Sequence, residues 1–474
     1  MSRLTKIMVA LLASTAIAAP AFAITGDVSG FLHVRGVAAD NMDGRDKDGN
    51  LTTYKTLDDG TVVKDYTTDD NTRAVDSRLR LFTTAALNEN VKAVFTVEVD
   101  YVWGDTDNDP NTTSIGRVGS DTTSQIEIAN LYLDFNIPEA NTNVKAGTHY
   151  YKMGGGLILG EHASGVSTRT AFDENTNLGL YWAKVIEGVD ENDGADVDFY
   201  QAQLDMKVGE HTISPFVAYY DADDNQIMQY GPTTTIDNMI LEQQYYYGLE
   251  LKGKIDAFEY SGVAFYNDGR MKADVDNDGT LDTLSTDAFA FLANAGYTLG
   301  DTKLIAEAAR YGDSDSPTGE MVTVAGFNNF SEILTGGYFD VRAGAGGVDQ
   351  TVATNRLGRT ISGNGSYYMN FQYAKLGVEQ KVSEKSKIRA YYIYAEEAAD
   401  NQVRFLSNGK SMKRITFGHE LDLYYDYTVV PGLIATLGGG YLLADDDFGY
   451  DVIGTKEIGG DDAWKAGLGL AYKF

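Results

Sequence analysis

The sequence predicts an all-β fold: a transmembrane antiparallel up-and-down β-barrel of about eighteen strands, with sixteen as the alternative count. Three observations predict it. Segments of roughly ten residues alternate apolar and polar side chains, the pattern of a strand with one greasy face. The connectors alternate between tight turns and long acidic loops, the asymmetry of a membrane barrel. Beyond residue 23 no apolar run is long enough for a membrane helix. A membrane crossing must then use strands whose backbone groups are satisfied in a closed ladder.

The first 23 residues stand apart. Arg3 and Lys6 precede an apolar run, Ile7 to Ala19, and Ala21-Phe22-Ala23 is an A-x-A cleavage site. This is a signal peptide at 1–23, leaving 24–474 as a single barrel domain. The full chain has no cysteine, which excludes disulfides, thiol catalysis, Cys-ligated zinc and C-x-x-C-H haem attachment. A formal charge of −31 argues against a nucleic-acid partner. The acid sits in connectors such as 40–70, 105–109 and 274–282, while the segments between are rich in the 31 Tyr and 51 Gly. That is a β-rich composition with many interfacial aromatics.

The elements follow in order. Strand one covers about 26–38, so the mature chain enters the sheet at once and leaves no room for a plug domain. After a long acidic loop, strands two (74–87) and three (91–103) flank the turn Asn88-Glu89-Asn90. Strands four (125–137) and five (143–153) flank a turn at Pro138 to Thr142. Strand six, about 164–172, is required by the parity of short turns. Strand seven is 178–187. Strands eight and nine (197–208, 212–221) flank Gly209 to His211. Strands ten and eleven (244–255, 257–267) turn near Asp256, and twelve and thirteen (286–299, 302–312) flank Gly300-Asp301. The longest loop, 313–365, is large enough for structure of its own. Strands fourteen and fifteen (366–382, 387–398) flank 383–386, and sixteen and seventeen (413–428, 433–444) flank Val430-Pro431-Gly432. An even count returns both ends of the domain to the short-turn side.

The hairpin at 88–90 assigns the faces. Val75, Leu79, Leu81, Ala85 and Leu87 share one face of strand two, and Val91, Phe95, Val97, Val99 and Tyr101 one face of strand three. The opposite faces carry Asp76, Arg78, Arg80, Lys92, Glu98 and Asp100. Pairing Leu87 with Val91 sets Arg80 opposite Glu98 and Arg78 opposite Asp100. Opposite charges across a ladder favour it, and charge on a lipid face is costly, so these four point into the lumen. They read either as a network that stiffens the wall or as a transverse field that filters solutes. The same logic places Asp134, Lys145, His149, Glu250, Lys252, Lys254, Arg389, Arg414, Glu420 and Asp422 in or near the lumen. Both signs occur on the wall, and the acidic loops lean the mouth toward a mild cation preference.

The last strand is Trp464 to Phe474. Trp464, Ala466, Leu468, Leu470, Tyr472 and Phe474 share a face against Lys465, Gly467, Gly469, Ala471 and Lys473. Strand one is the partner that closes its edge. This stretch resembles the C-terminal recognition strand of bacterial outer-membrane β-barrels, with Phe474 last and Tyr472 two before it. The mature chain as a whole resembles bacterial outer-membrane porins, and its strand count suits the eighteen-stranded ones. The resemblance implies a passive aqueous channel in the outer membrane, often a homotrimer, in contact with lipopolysaccharide. It also implies assembly by insertion machinery that reads Tyr472 and Phe474.

The connection after strand five, Gly154, Gly155 and Gly156 through Glu161, His162 and Ala163, is Gly-rich and partly apolar, unlike the acidic loops. It resembles the constriction loop of general porins, which folds inward. The other reading is a hairpin connection that extends strands five and six. Asp274, Asp276, Asp278 and Asp282 with Gly279 match the first half of a calcium loop, but Ser285 stands where its bidentate Glu belongs. The readings there are a weak calcium site or a solvated acidic loop. No other cofactor is expected. Catalysis is not expected either: the five histidines lack ligand spacing, there is no G-x-S-x-G or P-loop, and a lipase would need a Ser/His pair on the wall. His149 is the one histidine to watch. The alternative function is a porin-like sheath for an electron-transfer complex, with a cytochrome partner to supply the haem.

Overall fold

In the computed structural model the described residues are 25–40, 53–56, 62–65, 72–104, 126–187, 196–222, 227–228, 239–273, 280, 282–312, 321–324, 328–340, 358–360, 367–369, 371–399, 416–445 and 462–474. The segment 1–23 and Arg414 lie outside them. Among them, eighteen long strands form one antiparallel sheet closed on itself. They are β1 (Thr25–Asp40), β2 (Thr72–Asn88), β3 (Val91–Val102), β4 (Glu127–Ile137), β5 (Thr142–Met153) and β6 (Leu159–Ala171). Then come β7 (Thr176–Ile186), β8 (Val197–Val208), β9 (His211–Ala222), β10 (Met239–Ile255), β11 (Phe258–Ala273) and β12 (Ala288–Leu299). The rest are β13 (Thr302–Tyr311), β14 (Phe371–Lys381), β15 (Ser386–Glu396), β16 (Thr416–Val430), β17 (Leu433–Ala444) and β18 (Ala463–Lys473).

Each strand pairs with its neighbour in sequence, and β18 pairs with β1 from Asp40–Trp464 to Phe31–Lys473. Closure leaves no sheet edge to satisfy. At the seam Phe474 and Gly30 exchange backbone hydrogen bonds of 2.9 and 3.1 Å. Gly30 is required there: a Cβ would lie 2.8 Å from the Phe474 ring and 2.5 Å from the Arg80 carbonyl.

Alternation sorts the side chains. Leu131, Val217, Leu304, Leu376, Leu437 and Leu468 stand exposed on the outer face, a surface suited to lipid. Trp182, Tyr200, Tyr245 and Tyr441 are exposed with them, the aromatics expected at a membrane interface. The buried apolar residues are inside the barrel. Met153, Leu157 and Ile158 form one cluster with Val322, Val324, Phe330, Ile333, Leu334 and Phe339 and with wall aromatics such as Tyr246, Phe265 and Phe371.

Two expectations change. Asn88, not Leu87, stands opposite Val91; the register slips between Ala86 and Asn88, leaving Leu87 as a bulge. The Asn88 side chain accepts the Asn90 N–H at 2.8 Å and so builds the tight turn. Beyond that slip Arg80 faces Glu98 and Arg78 faces Asp100, as the charge pattern requires. Strand six starts at Leu159 rather than 164, because its first residues pair with β5 alone.

Candidate functional site: a charged lumen crossed by two inward segments

The lumen wall at β1–β3 carries a column of charge pairs. Arg78 meets Asp100 at 2.6 Å and approaches Glu98 at 3.5 Å. Arg80 pairs with Glu98. Arg35, on β1, grips Asp76 with two hydrogen bonds of 3.0 and 2.6 Å, the bidentate geometry in which arginine binds carboxylate most firmly. The Arg78 and Arg80 side chains are about a third exposed, whereas Arg35 is buried. Further round the wall Asp134 holds Lys92 at 3.2 Å and accepts the Asn143 amide at 2.7 Å. Lys145 is its Cα partner on β5 and lies over the Tyr132 ring.

Gly154 to Gly156 occupy the tip of a hairpin that leaves the wall. The β4–β5 ladder ends at Leu131–Thr148 and the β6–β7 ladder at Ser164–Lys184, yet β5 and β6 stay paired up to Met153–Leu159. The departure point is a rung of two glycines, Gly147 opposite Gly165. Gly147 has φ +126, a region L side chains avoid. Its Cβ would also lie 2.8 Å from the Tyr132 Cα. The tip crosses the lumen: the Gly155 N–H donates to the Glu250 carboxylate on β10 at 3.2 Å, and Gly155 lies against Val263 of β11 and Leu292 of β12. Beneath it lies a cavity of about 350 Å³ lined by Lys152, Arg169, Asp205, Glu250 and Lys252 among others. The connection is therefore both a hairpin that extends β5 and β6 and a segment that runs inward. Glu161 and His162 lie on its β6 arm, hydrogen-bonded to each other at 3.0 Å.

Sequence reasoning did not find the second inward segment, 328–340, from the longest loop. It docks on β14–β18 through polar anchors. Glu332 and Lys465 form an ion pair at 2.8 Å with both side chains fully buried. Glu332 also accepts the Tyr338 and Phe339 N–H groups and the Tyr424 hydroxyl. Burial raises the Glu332 carboxyl above its ordinary value, even against the opposing pull of Lys465. Glu420 accepts the Ile333 and Leu334 N–H groups, and Asp422 that of Glu332. Lys375 and Lys465 donate to the Phe330 and Gly336 carbonyls. The wall is glycine where the segment lands. A Cβ on Gly467 would stand 2.5 Å from the Phe339 ring, and one on Gly469 2.9 Å from Tyr338. The inner side of the last strand is thus a docking track. The hairpin tip also bonds to residues 321–324 of the same long loop, where the Val324 N–H donates to the Ile158 carbonyl at 2.9 Å.

His149 is buried on the β5 arm of the β5–β6 hairpin, just past its departure from the wall. Its Nδ1–H donates to the Gly147 carbonyl at 3.1 Å, and Ser167 Oγ donates to Nε2 at 3.1 Å. A Ser/His contact thus exists that sequence spacing did not reveal. Ser167 sits in ladder on both sides, paired to Lys145 and to Tyr181, so its own backbone is engaged with neighbouring strands. Among the described residues no cluster of three metal-ligating side chains occurs. Asp274, Asp276 and Asp278 lie outside those residues, and Asp282 opens a four-residue strand, Asp282–Ser285.

No family model and no curated protein matches the chain. Solved structures match along nearly its whole length. OccK8 (OprE) of Pseudomonas aeruginosa is 12% identical with a TM-score of 0.50, covering 95% of this chain and 98% of its own. OccAB3 of Acinetobacter baumannii is 11% identical with a TM-score of 0.49, covering 94% and 100%. The outer membrane protein opdK from Pseudomonas aeruginosa is 10% identical with a TM-score of 0.48, covering 94% and 99%. The chain has the fold of porin-like outer-membrane barrels.

Proposed function

We propose that the protein is an outer-membrane porin, a water-filled channel for passive diffusion of small hydrophilic solutes and ions. The observation that carries this reading is the pairing of an apolar outer face with a lumen column of Arg35, Arg78 and Arg80 against Asp76, Glu98 and Asp100. Charges of both signs on one wall, part of them exposed, make a local field that orients a passing dipole. The segments 154–158 and 328–340 narrow the path and set a size limit. Neither step needs a cofactor or a covalent change. The sheath reading loses support from the same segments, because they occupy volume that a cytochrome threaded into the barrel would need.

Assembly as a homotrimer, contact with lipopolysaccharide and recognition of Tyr472 and Phe474 by insertion machinery belong to this proposal, as does weak calcium binding at Asp274 to Asp282. Reconstitution in a planar bilayer tests the channel: discrete conductance steps are expected, with a reversal potential in a salt gradient that reports the charge preference. Stable insertion without conductance would reject it.

A further inference from the structure

We infer that Asp422 holds a proton on Oδ1, donates it in a hydrogen bond to Glu420, and so latches segment 328–340 to the wall. Glu420 and Asp422 stand two residues apart on β16, so both point into the barrel. Both are buried. Three of their four oxygens are engaged by the segment. Glu420 Oε1 and Oε2 accept the Ile333 and Leu334 N–H groups at 2.6 and 3.3 Å, and Asp422 Oδ2 accepts that of Glu332 at 3.2 Å. The fourth, Asp422 Oδ1, is buried with no hydrogen-bond partner among the described residues. It and Glu420 Oε1 flank one point, 2.5 and 3.2 Å from the place a Cβ on Gly440 would take. A proton on Oδ1 turns this orphan acceptor into a donor beside a carboxylate that can receive it.

The surrounding charges lead to the same state. Lys465, on β18, is committed to Glu332. Arg389, on β15, grips Asp426 with hydrogen bonds of 2.8 and 2.9 Å. Lys375, on β14, donates to the Phe330 carbonyl and lies over the Tyr391 ring. Its partner on β13, Glu307, accepts the Tyr373 hydroxyl. Tyr424 and Tyr391 donate to Glu332 and Glu379, and β17 presents Gly438 and Gly440. Among the described residues no cation pairs with Glu420 or Asp422. Two carboxylates that share a buried site without a cation do not both ionise. With one proton the pair carries one charge, spread over three N–H groups. Losing that proton leaves two like charges in a dry site, and the segment lifts to admit water. Docking is therefore held while Asp422 is protonated and lost as pH rises through its titration.

The chain lacks cysteine, so Leu334→Cys, at a buried position, reports lifting by its rate of modification with a thiol reagent in the assembled barrel. At each pH this rate is divided by that of the same chain carrying Asp422→Asn, so that the thiol's own ionisation cancels. Asparagine copies the protonated acid: its carbonyl accepts the Glu332 N–H and its amide donates to Glu420. The ratio should lie close to unity at neutral pH and rise with pH by up to about tenfold per pH unit, the limit for loss of one proton. Glu420→Gln should differ in kind. Its amide nitrogen would meet the N–H of Ile333 or Leu334, so modification should be faster at every pH. A ratio that does not rise with pH would overturn the inference. So would an Asp422→Asn chain that fails to assemble, or one modified as fast as Glu420→Gln at neutral pH. Ile333→Cys repeats the measurement if Leu334→Cys itself loosens the segment. These rates need no current through the barrel, so absence of conductance would reject the channel reading and leave the latch standing.

Discussion

Lys465 stands on a strand whose alternation makes its face polar, yet its ammonium meets no water. Glu332 and the Gly336 carbonyl replace hydration. A buried pair of this kind contributes little over an apolar isostere, but breaking it is costly. Lys465→Ala is expected to destabilise the docked segment by about 3–5 kcal/mol, seen as new protease cleavage within 328–340 of the assembled barrel. Unchanged resistance would show that the apolar contacts suffice. Arg78 and Arg80 differ, because part of each side chain faces the lumen. Arg78→Ala or Arg80→Ala should shift the reversal potential toward cations, by removing positive charge from the path. No shift in either variant would take these residues out of the passage. Their partners Glu98 and Asp100 are buried, so either change also leaves a carboxylate short of a counter-ion and costs more than the about 0–1 kcal/mol of an exposed pair.

At the scale of elements, the β5–β6 hairpin depends on a rung without side chains. Gly147 bends at φ +126 and faces Gly165. Gly147→Val would demand a left-handed backbone of a branched residue and drive its Cβ into β4. The hairpin should then lose its contact with Glu250, and unit conductance should rise. Unchanged conductance would show that the tip does not narrow the path. This element was half legible in the sequence. Its glycines and lack of acid marked it as unlike the other loops, and both proposed geometries occur together. The β2–β3 register was legible because a tight turn couples two charge patterns over few residues. Arg35–Asp76 was not, because residues 41–71 separate the two strands and no local turn links their registers. The 328–340 segment was illegible for a stronger reason. Its anchors are single carboxylates and lysines from β14, β16 and β18, far away in sequence.

At the scale of the molecule, closure joins the first strand to the last. Gly30 and Phe474 lock the seam with a reciprocal backbone pair and a ring laid on a bare Cα. Deleting Phe474 should impair membrane assembly, read as the yield of heat-modifiable barrel on gels, more than it alters conductance of barrels that do assemble. Gly30→Val should give the same defect while leaving the terminal aromatic in place. Normal assembly of Gly30→Val would assign the effect to recognition of Phe474 alone.

Sequence alone pointed to the barrel, to about eighteen strands with sixteen left open, to its inside and outside, and to the seam between first and last strands. Each follows from alternation and turn chemistry, which act over a few residues. Tertiary structure decided what fills the lumen. Contacts between a loop and a wall more than a hundred residues away, such as Gly336 with Lys465, leave no period in the chain. They arise only when the closed wall brings an acid, a lysine and a run of glycines to face one another.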